Sequence, residues 1–142
     1  MTTTGTTNNL TVYEQACFHS IDDLFHTAYI ALVDVDAAEK LVTEICVAGV
    51  HKYERLEDEA DIRFRLTSDL YHRIKRRLWF CIPNTDALPG QLQVLSKWER
   101  LALAMRFSSG LSAADSGRIC SYTEADFTQI ISSAARKIPF VK

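Results

Sequence analysis

One short stretch interrupts an otherwise continuous helical pattern. Cys81-Ile82-Pro83-Asn84-Thr85-Asp86-Ala87-Leu88-Pro89-Gly90 carries two prolines, a glycine and several turn formers. Proline has no amide donor and clashes with the preceding turn, so no helix passes through such a run. On both sides of it apolar residues recur every three or four positions, and no stretch alternates for long enough to suggest a strand. The expected fold is therefore all-α: two small helical units, residues 10–80 and 87–142, joined by a linker at 81–86. Residues 1–9 are small, polar and uncharged. They cannot repay their ordering entropy and are expected to form a disordered tail.

The first unit divides into three predicted helices. Leu24, Phe25, Ala28 and Leu32 mark one buried stripe from Tyr13 onward. An aspartate, Asp34 or Asp36, caps a second helix with apolar positions Leu41, Val42, Ile45 and Cys46, ending near Tyr53. The acidic run Glu54–Asp61 is a solvated connection or a helix start, where carboxylates suit the positive end of the dipole. A third helix is predicted from about Ile62 to Trp79, with Arg73, Lys75, Arg76 and Arg77 crowding its last turns. In the second unit, helices are predicted over Gln91–Leu95, Lys97–Phe107, Leu111–Cys120 and Thr123–Ile138. Gly110 supplies a left-handed helix end, and Ser112 a cap for the next helix.

Little in the chain suggests an enzyme. There is no Gly-rich phosphate loop among its five glycines, and no Ser/His/Asp constellation emerges from local sequence. Cys17, Cys46, Cys81 and Cys120 are too scattered to grip a metal from one turn and are expected to be free, mostly buried thiols. His51 and His72 are lone residues among charged neighbours. No catalytic residue, metal, cofactor or small-molecule substrate is expected. No apolar stretch reaches the roughly 20 residues of a membrane span, and the first residues lack signal-peptide order, so the cytoplasm is the expected compartment. The net charge is −2, unlike a protein that lives by neutralising phosphates. Residues 1–83 hold nine basic and thirteen acidic side chains, residues 84–142 seven and five.

The second unit has the layout of a helix-turn-helix: an amphipathic helix, Gly110-Leu111-Ser112, a short helix, a turn at Ser121-Tyr122, and a longer helix from Thr123-Glu124. Leu95 to Ile138 resembles region 4 of the extracytoplasmic-function sigma factors. Leu95, Arg100, Ala102, Leu103, Arg106, Phe107, Gly110, Leu111, Ser112, Ile119, Thr123, Glu124, Ala134, Arg136, Lys137 and Ile138 match without a gap. The first unit resembles region 2 of the same family through Leu24-Phe25 and the helix Asp36-Ala37-Ala38-Glu39-Lys40-Leu41-Val42-Thr43-Glu44, and loosely through Tyr71–Arg77. The order, region 2 then region 4 with no region 3, is shared with that family.

The departures from the family fall on the residues that meet DNA. Thr128, Ile130 and Ser133 stand where the family's recognition helix carries basic residues, and Glu124 and Asp126 place acids at the helix start, where they repel phosphate. Ser116-Gly117 replaces Ile-Ala, which predicts a weakened contact within the motif. Lys40 and Thr43 occupy positions of an acid and a glutamine, and Ala48-Gly49-Val50 positions of promoter-melting aromatics and bases. The connection from Phe80 to Ala87 reaches at most about 28 Å, which favours two units packed on each other. The resemblance implies a sigma-like transcription regulator, and two modes of action. One is a sigma mimic that binds an anti-sigma-like protein through an apolar cleft, with Trp79, Phe80, Trp98, Leu41 and Glu44 as candidate contacts. The alternative is a divergent sigma factor that binds core RNA polymerase and contacts promoter DNA weakly through Arg73, Lys75, Arg76, Arg77, Thr123, Glu124, Thr128, Gln129, Arg136 and Lys137. A third reading is a degenerate helical interaction module with an unrelated partner.

Overall fold

The computed structural model describes residues 10–86 and 88–138; the predicted tail, residues 1–9, lies outside them, as do Ala87 and residues 139–142. All regular structure among the described residues is helical: α1 (Val12–Leu32), α2 (Val35–Tyr53), α3 (Glu59–Phe80), the single turn α4 (Gly90–Gln93), α5 (Lys97–Phe107), α6 (Ala113–Ile119) and α7 (Glu124–Arg136). Six of these helices start where a side-chain oxygen accepts from a free amide of the first turn, at Thr11, Asp34, Asp58, Ser96, Ser112 and Thr123. Thr11 and Ser96 complete reciprocal boxes with Glu14 and Glu99. Helix α3 begins at Glu59 rather than near Ile62, because Asp58 accepts from the Ala60 amide and Glu59 and Asp61 favour the first turn.

Helix α1 occupies the middle of the molecule and packs against α2, α3 and α5. Its buried face is built from small residues, Ala16, Ser20, Thr27, Ala28 and Ala31, with Tyr13, Leu24 and Leu32 as the larger anchors. The buried hydroxyls do not go unsatisfied: Ser20 donates to the Ala16 carbonyl at 2.6 Å and Thr27 to that of Asp23 at 2.8 Å. The predicted linker, 81–86, is irregular backbone, but the apolar cores on its two sides are continuous. Leu24, Leu66, Leu70 and Ile74 belong to the same buried cluster as Leu101, Met105, Ile119 and Phe127.

Polar contacts tie α3 to α1 and then to the second half of the chain. Arg63 of α3 reaches Asp23 of α1 at 3.2 Å and Ser20 Oγ at 3.1 Å. The Gly110 turn rests directly on that pair: a Cβ there would lie 2.5 Å from Asp23 Oδ2 and 2.9 Å from Arg63 Nη2, in a backbone with φ +79°. Lys97, the first residue of α5, donates from Nζ to the carbonyls of Leu78 and Cys81, satisfying acceptors at the end of α3 and opposing its negative pole. Arg118 of α6 lies over the Phe64 ring of α3, 4.6 Å from its centroid.

Two expectations are corrected. Ser116-Gly117 does not loosen the helix-turn-helix. Ser116 is fully buried and donates to the Met105 carbonyl at 2.8 Å, while Gly117 lets α6 approach so closely that a Cβ would meet Phe127 atoms at 3.2–3.3 Å. Nor are the thiols mostly buried: Cys120 is, Cys17 and Cys46 are half-buried, and Cys81 is exposed.

Gly110→Ala is expected to lower the unfolding free energy by about 1–3 kcal/mol, from backbone strain added to overpacking against Asp23 and Arg63. Urea denaturation followed by the helical circular-dichroism signal measures it, and an unchanged midpoint would contradict the joint described here.

Candidate protein-docking cleft

Where α3 ends and α5 begins, the chain's two tryptophans meet. Trp79 and Trp98 stand edge to face with ring centroids 5.5 Å apart. They line a cleft of about 290 Å³ together with Tyr71, Lys75, Leu101, Ala102, Cys120 and Tyr122. Three elements supply it: α3 contributes a stripe at four-residue spacing, Tyr71-Lys75-Trp79, α5 contributes Trp98-Leu101-Ala102, and the turn between α6 and α7 contributes Cys120 and Tyr122. That turn is shaped by Ser121 in a left-handed conformation, φ 65°, and Tyr122 stacks on Phe127 of α7 at 6.2 Å.

Burial and chemistry differ across the cleft. Trp79 is 66% exposed and Trp98 38%, an unusual state for large apolar surface. On the floor, burial raises Tyr71 above the ordinary phenol range, and burial lifts the Cys120 thiol to about 11, partly offset by a hydrogen bond with Tyr71 and by the nearby Lys75 charge. Both groups are therefore neutral at physiological pH. Lys75, 5.9 Å from the centroid of the Tyr71 ring, is the one charged residue in the lining. The cleft is apolar and aromatic with a single cation at its edge.

Only part of the predicted partner set gathers here. Trp79 and Trp98 do. Phe80 follows Trp79 but turns away, 85% exposed and outside the lining. Leu41 is half-buried against the core from α2, and Glu44 pairs with Arg73 at 3.2 Å, so neither lines the cleft. Tyr71, Leu101, Ala102, Cys120 and Tyr122 were not foreseen. The spacings 71-75-79 and 98-101-102 do mark helical faces, but which faces meet across the linker is set by tertiary packing.

The predicted DNA contacts are scattered. Successive residues on a helix point about 100° apart, so the basic end of α3 faces several ways. Arg73 is engaged by Glu44, and Lys75 borders the cleft. Arg76 shares a concavity with Arg73, Lys52, Asp69 and His72, whereas Arg77 lines a different one beside Val33 and Asp34. On α7, the Thr123 hydroxyl caps the helix by accepting from the Asp126 amide at 3.1 Å. Glu124, Thr128, Gln129 and Arg136 are exposed. Lys137 is bound to Glu99 at 2.6 Å. Arg118 of α6 lies over Phe64 and pairs with Asp115 at 3.6 Å. Among the described residues no group of histidines, cysteines or carboxylates is placed to hold a metal ion, and no helix is long and apolar enough to cross a membrane.

Comparison with protein-family models, with curated proteins and with solved structures finds no match.

The Glu99–Lys137 pair makes a pH-dependent contribution of known sign. Lys137, then the Ser96 amide, holds the Glu99 carboxyl below the usual carboxylate range. A carboxylate depressed on folding stabilises fully above its unfolded pKa, about 4.3, and loses that stabilisation as pH falls through the lower folded value. Glu99→Gln is expected to flatten that part of the acid limb in urea titrations below about pH 5; a variant that keeps the full slope would overturn the assignment.

Proposed function

We propose that this chain is a sigma-factor-like transcription regulator that works by protein–protein contact, presenting a sigma-shaped surface to an anti-sigma-like partner instead of reading a promoter. The observation that carries this reading is the cleft: aromatic surface assembled from both halves of the chain is left uncovered, while the helix that would enter a major groove carries acids at its start and no cation until its last turn. Exposed tryptophans at the centre of an apolar concavity are the commonest anchors of protein interfaces. The occupant that fits is an amphipathic helix, aliphatic residues packing on the Trp79–Trp98 pair and into the cleft beside Leu101 and Tyr122, and a carboxylate meeting Lys75.

The second reading, a promoter-binding sigma factor, draws on Lys75, Arg76, Arg77 and Arg136, which make no ion pair among the described residues. A duplex contacted by four cations has a shallow salt dependence and weak affinity, so this reading needs a partner, the polymerase, to supply most of the binding.

Both readings are tested with the tagged full-length chain. The mimic reading expects an anti-sigma-like protein retained at stoichiometric ratio, whose purified form shifts the intrinsic tryptophan fluorescence. Trp79→Ala is expected to weaken that complex by about 2 kcal/mol, roughly thirtyfold, while the Arg76→Glu, Arg77→Glu double variant leaves it within about threefold at physiological salt. Retention of core RNA polymerase with promoter-dependent transcription in vitro would overturn the mimic and establish the second reading.

A further inference from the structure

The end of α3 carries apolar surface that the cleft does not use. Trp79, Phe80, Cys81 and Ile82 are all exposed, Phe80 at 85% and Ile82 at 87%, and neither Phe80 nor Ile82 lines the tryptophan cleft. Phe80 closes the helix, and Cys81 leaves it in extended backbone, φ −137° and ψ 148°. Pro83 holds Ile82 out of helical backbone. Three large apolar side chains therefore stand in water on a projecting tip, a state that marks contact surfaces.

Cations stand one turn behind these side chains. Residues three and four apart share a helix face, so Lys75 lies behind Trp79, and Arg76 and Arg77 lie behind Phe80. None of the three makes an ion pair among the described residues. Two carboxylates near them are engaged elsewhere: Glu44 holds Arg73 at 3.2 Å, and Asp34, which shares a concavity with Arg77 and Ile82, caps α2 by accepting from the Ala37 amide at 3.0 Å. Lys97 adds a further positive charge and takes up the carbonyls of Leu78 and Cys81, which lowers the cost of bringing the helix end into a medium poor in water. The chain as a whole has a net charge of −2, so the positive field is local to this end of α3.

We propose that this tip docks the protein on the surface of an anionic lipid bilayer, with Trp79, Phe80 and Ile82 entering the boundary between headgroups and acyl chains and Lys75, Arg76 and Arg77 meeting lipid phosphates. One helical turn is about 5.4 Å, and interfacial segments bury their apolar side by about 5–10 Å. Apolar groups at that depth leave the cations level with the headgroups, where Lys and Arg reach toward water and anionic lipid. Tryptophan favours the same zone. Other occupants of such a tip fit less well. A second copy paired about a two-fold axis through this face sets Lys75, Arg76 and Arg77 against the same cations. A single-stranded nucleic acid meets the charges and stacks on the rings, but gains little from Ile82. Because Phe80 and Ile82 lie outside the cleft, the contact does not depend on the anti-sigma reading.

The test is flotation of the full chain with vesicles of phosphatidylcholine, alone or with phosphatidylglycerol as about a third of the lipid. Binding is expected on the anionic vesicles and at least about tenfold weaker on the neutral ones, since each cation near an anionic surface contributes about fivefold. Raising the salt to about 0.5 M is expected to weaken it as well. Phe80→Asp with Ile82→Asp is expected to abolish binding, and Arg76→Gln with Arg77→Gln to weaken it about twenty-fivefold. Both double variants should keep the helical circular-dichroism signal, because all four side chains are exposed. In Trp98→Phe, which leaves Trp79 as the one tryptophan, emission is expected to shift to the blue on anionic vesicles and to be quenched by brominated acyl chains. An absence of binding to anionic vesicles, binding indifferent to the Phe80 and Ile82 substitutions, or Trp79 emission unchanged by lipid would overturn the proposal. A dimer, or a complex with an oligothymidine probe, that the Phe80→Asp, Ile82→Asp chain loses while the vesicles go unbound would assign the tip to a second copy or to nucleic acid instead.

Discussion

The packing of α1 against α2, α3 and α5 at once is the constraint on which the rest of the molecule depends. A single helix can serve three neighbours only if its buried face is low, and Ala16, Ser20, Ala28 and Ala31 provide that, leaving Leu24 and Leu32 to fill the space between the backbones. Interiors are packed to crystal-like density, so where α1 places its surface fixes where α5 can lie. Once α5 is fixed, Lys97 meets the end of α3, Trp98 meets Trp79, and the turn after α6 reaches Tyr71. The tryptophan cleft is thus a by-product of how α1 is shared. No residue of α1 lines it.

Local chemistry was legible in the sequence, and the meeting of distant surfaces was not. The N-cap at Ser112, the left-handed Gly110 and the helix Lys97–Phe107 follow from signals within a few residues, and the structure places them as expected. The length of α3 was underestimated because Asp58–Asp61 reads equally as a solvated acidic loop and as a capped first turn. Ser116-Gly117 was misread for a deeper reason. A small polar pair looks like a defect in an apolar face, yet Ser116 satisfies the Met105 carbonyl and Gly117 admits Phe127, and both partners lie in other helices. The cleft shows the same division. Its two faces are periodic within α3 and α5, but only the tertiary contact of Trp79 with Trp98 turns them into one surface.

The helix-turn-helix separates a shape from the electrostatics that usually accompany it. Its geometry depends on a buried Ser116, a stacked Tyr122–Phe127 pair and a capped α7, none of which needs a positive surface. Groove binding does need one, since phosphate contacts supply most of the affinity of such motifs. Here two of the cations near the motif are committed within the protein, Arg118 to Phe64 and Asp115 and Lys137 to Glu99, while Arg136 stands exposed at the end of α7. Arg100 is buried, holding the Leu95 carbonyl at 3.0 Å. Arg100, Arg118 and Lys137, which could carry DNA affinity, instead hold α5, α6 and α7 in place.

The closed arrangement bears on which partner the proposed function can accommodate. A chain that contacts two separated sites with its two halves must first part α5 from α1. At about 1.5–3 kcal/mol for each large apolar side chain returned to water, uncovering even three takes about 5–9 kcal/mol, besides the loss of the Lys97 contacts to the end of α3. A partner that required the open form would have its apparent affinity reduced by the small open fraction, and would have to bind that form more tightly by the same free energy. A partner that docks in the cleft meets no such penalty, because Trp79 and Trp98 are already juxtaposed by the closed packing. The energetics of the shared core therefore favour a ligand that recognises both halves together, which is why the cleft, and not the recognition helix, carries the functional reading.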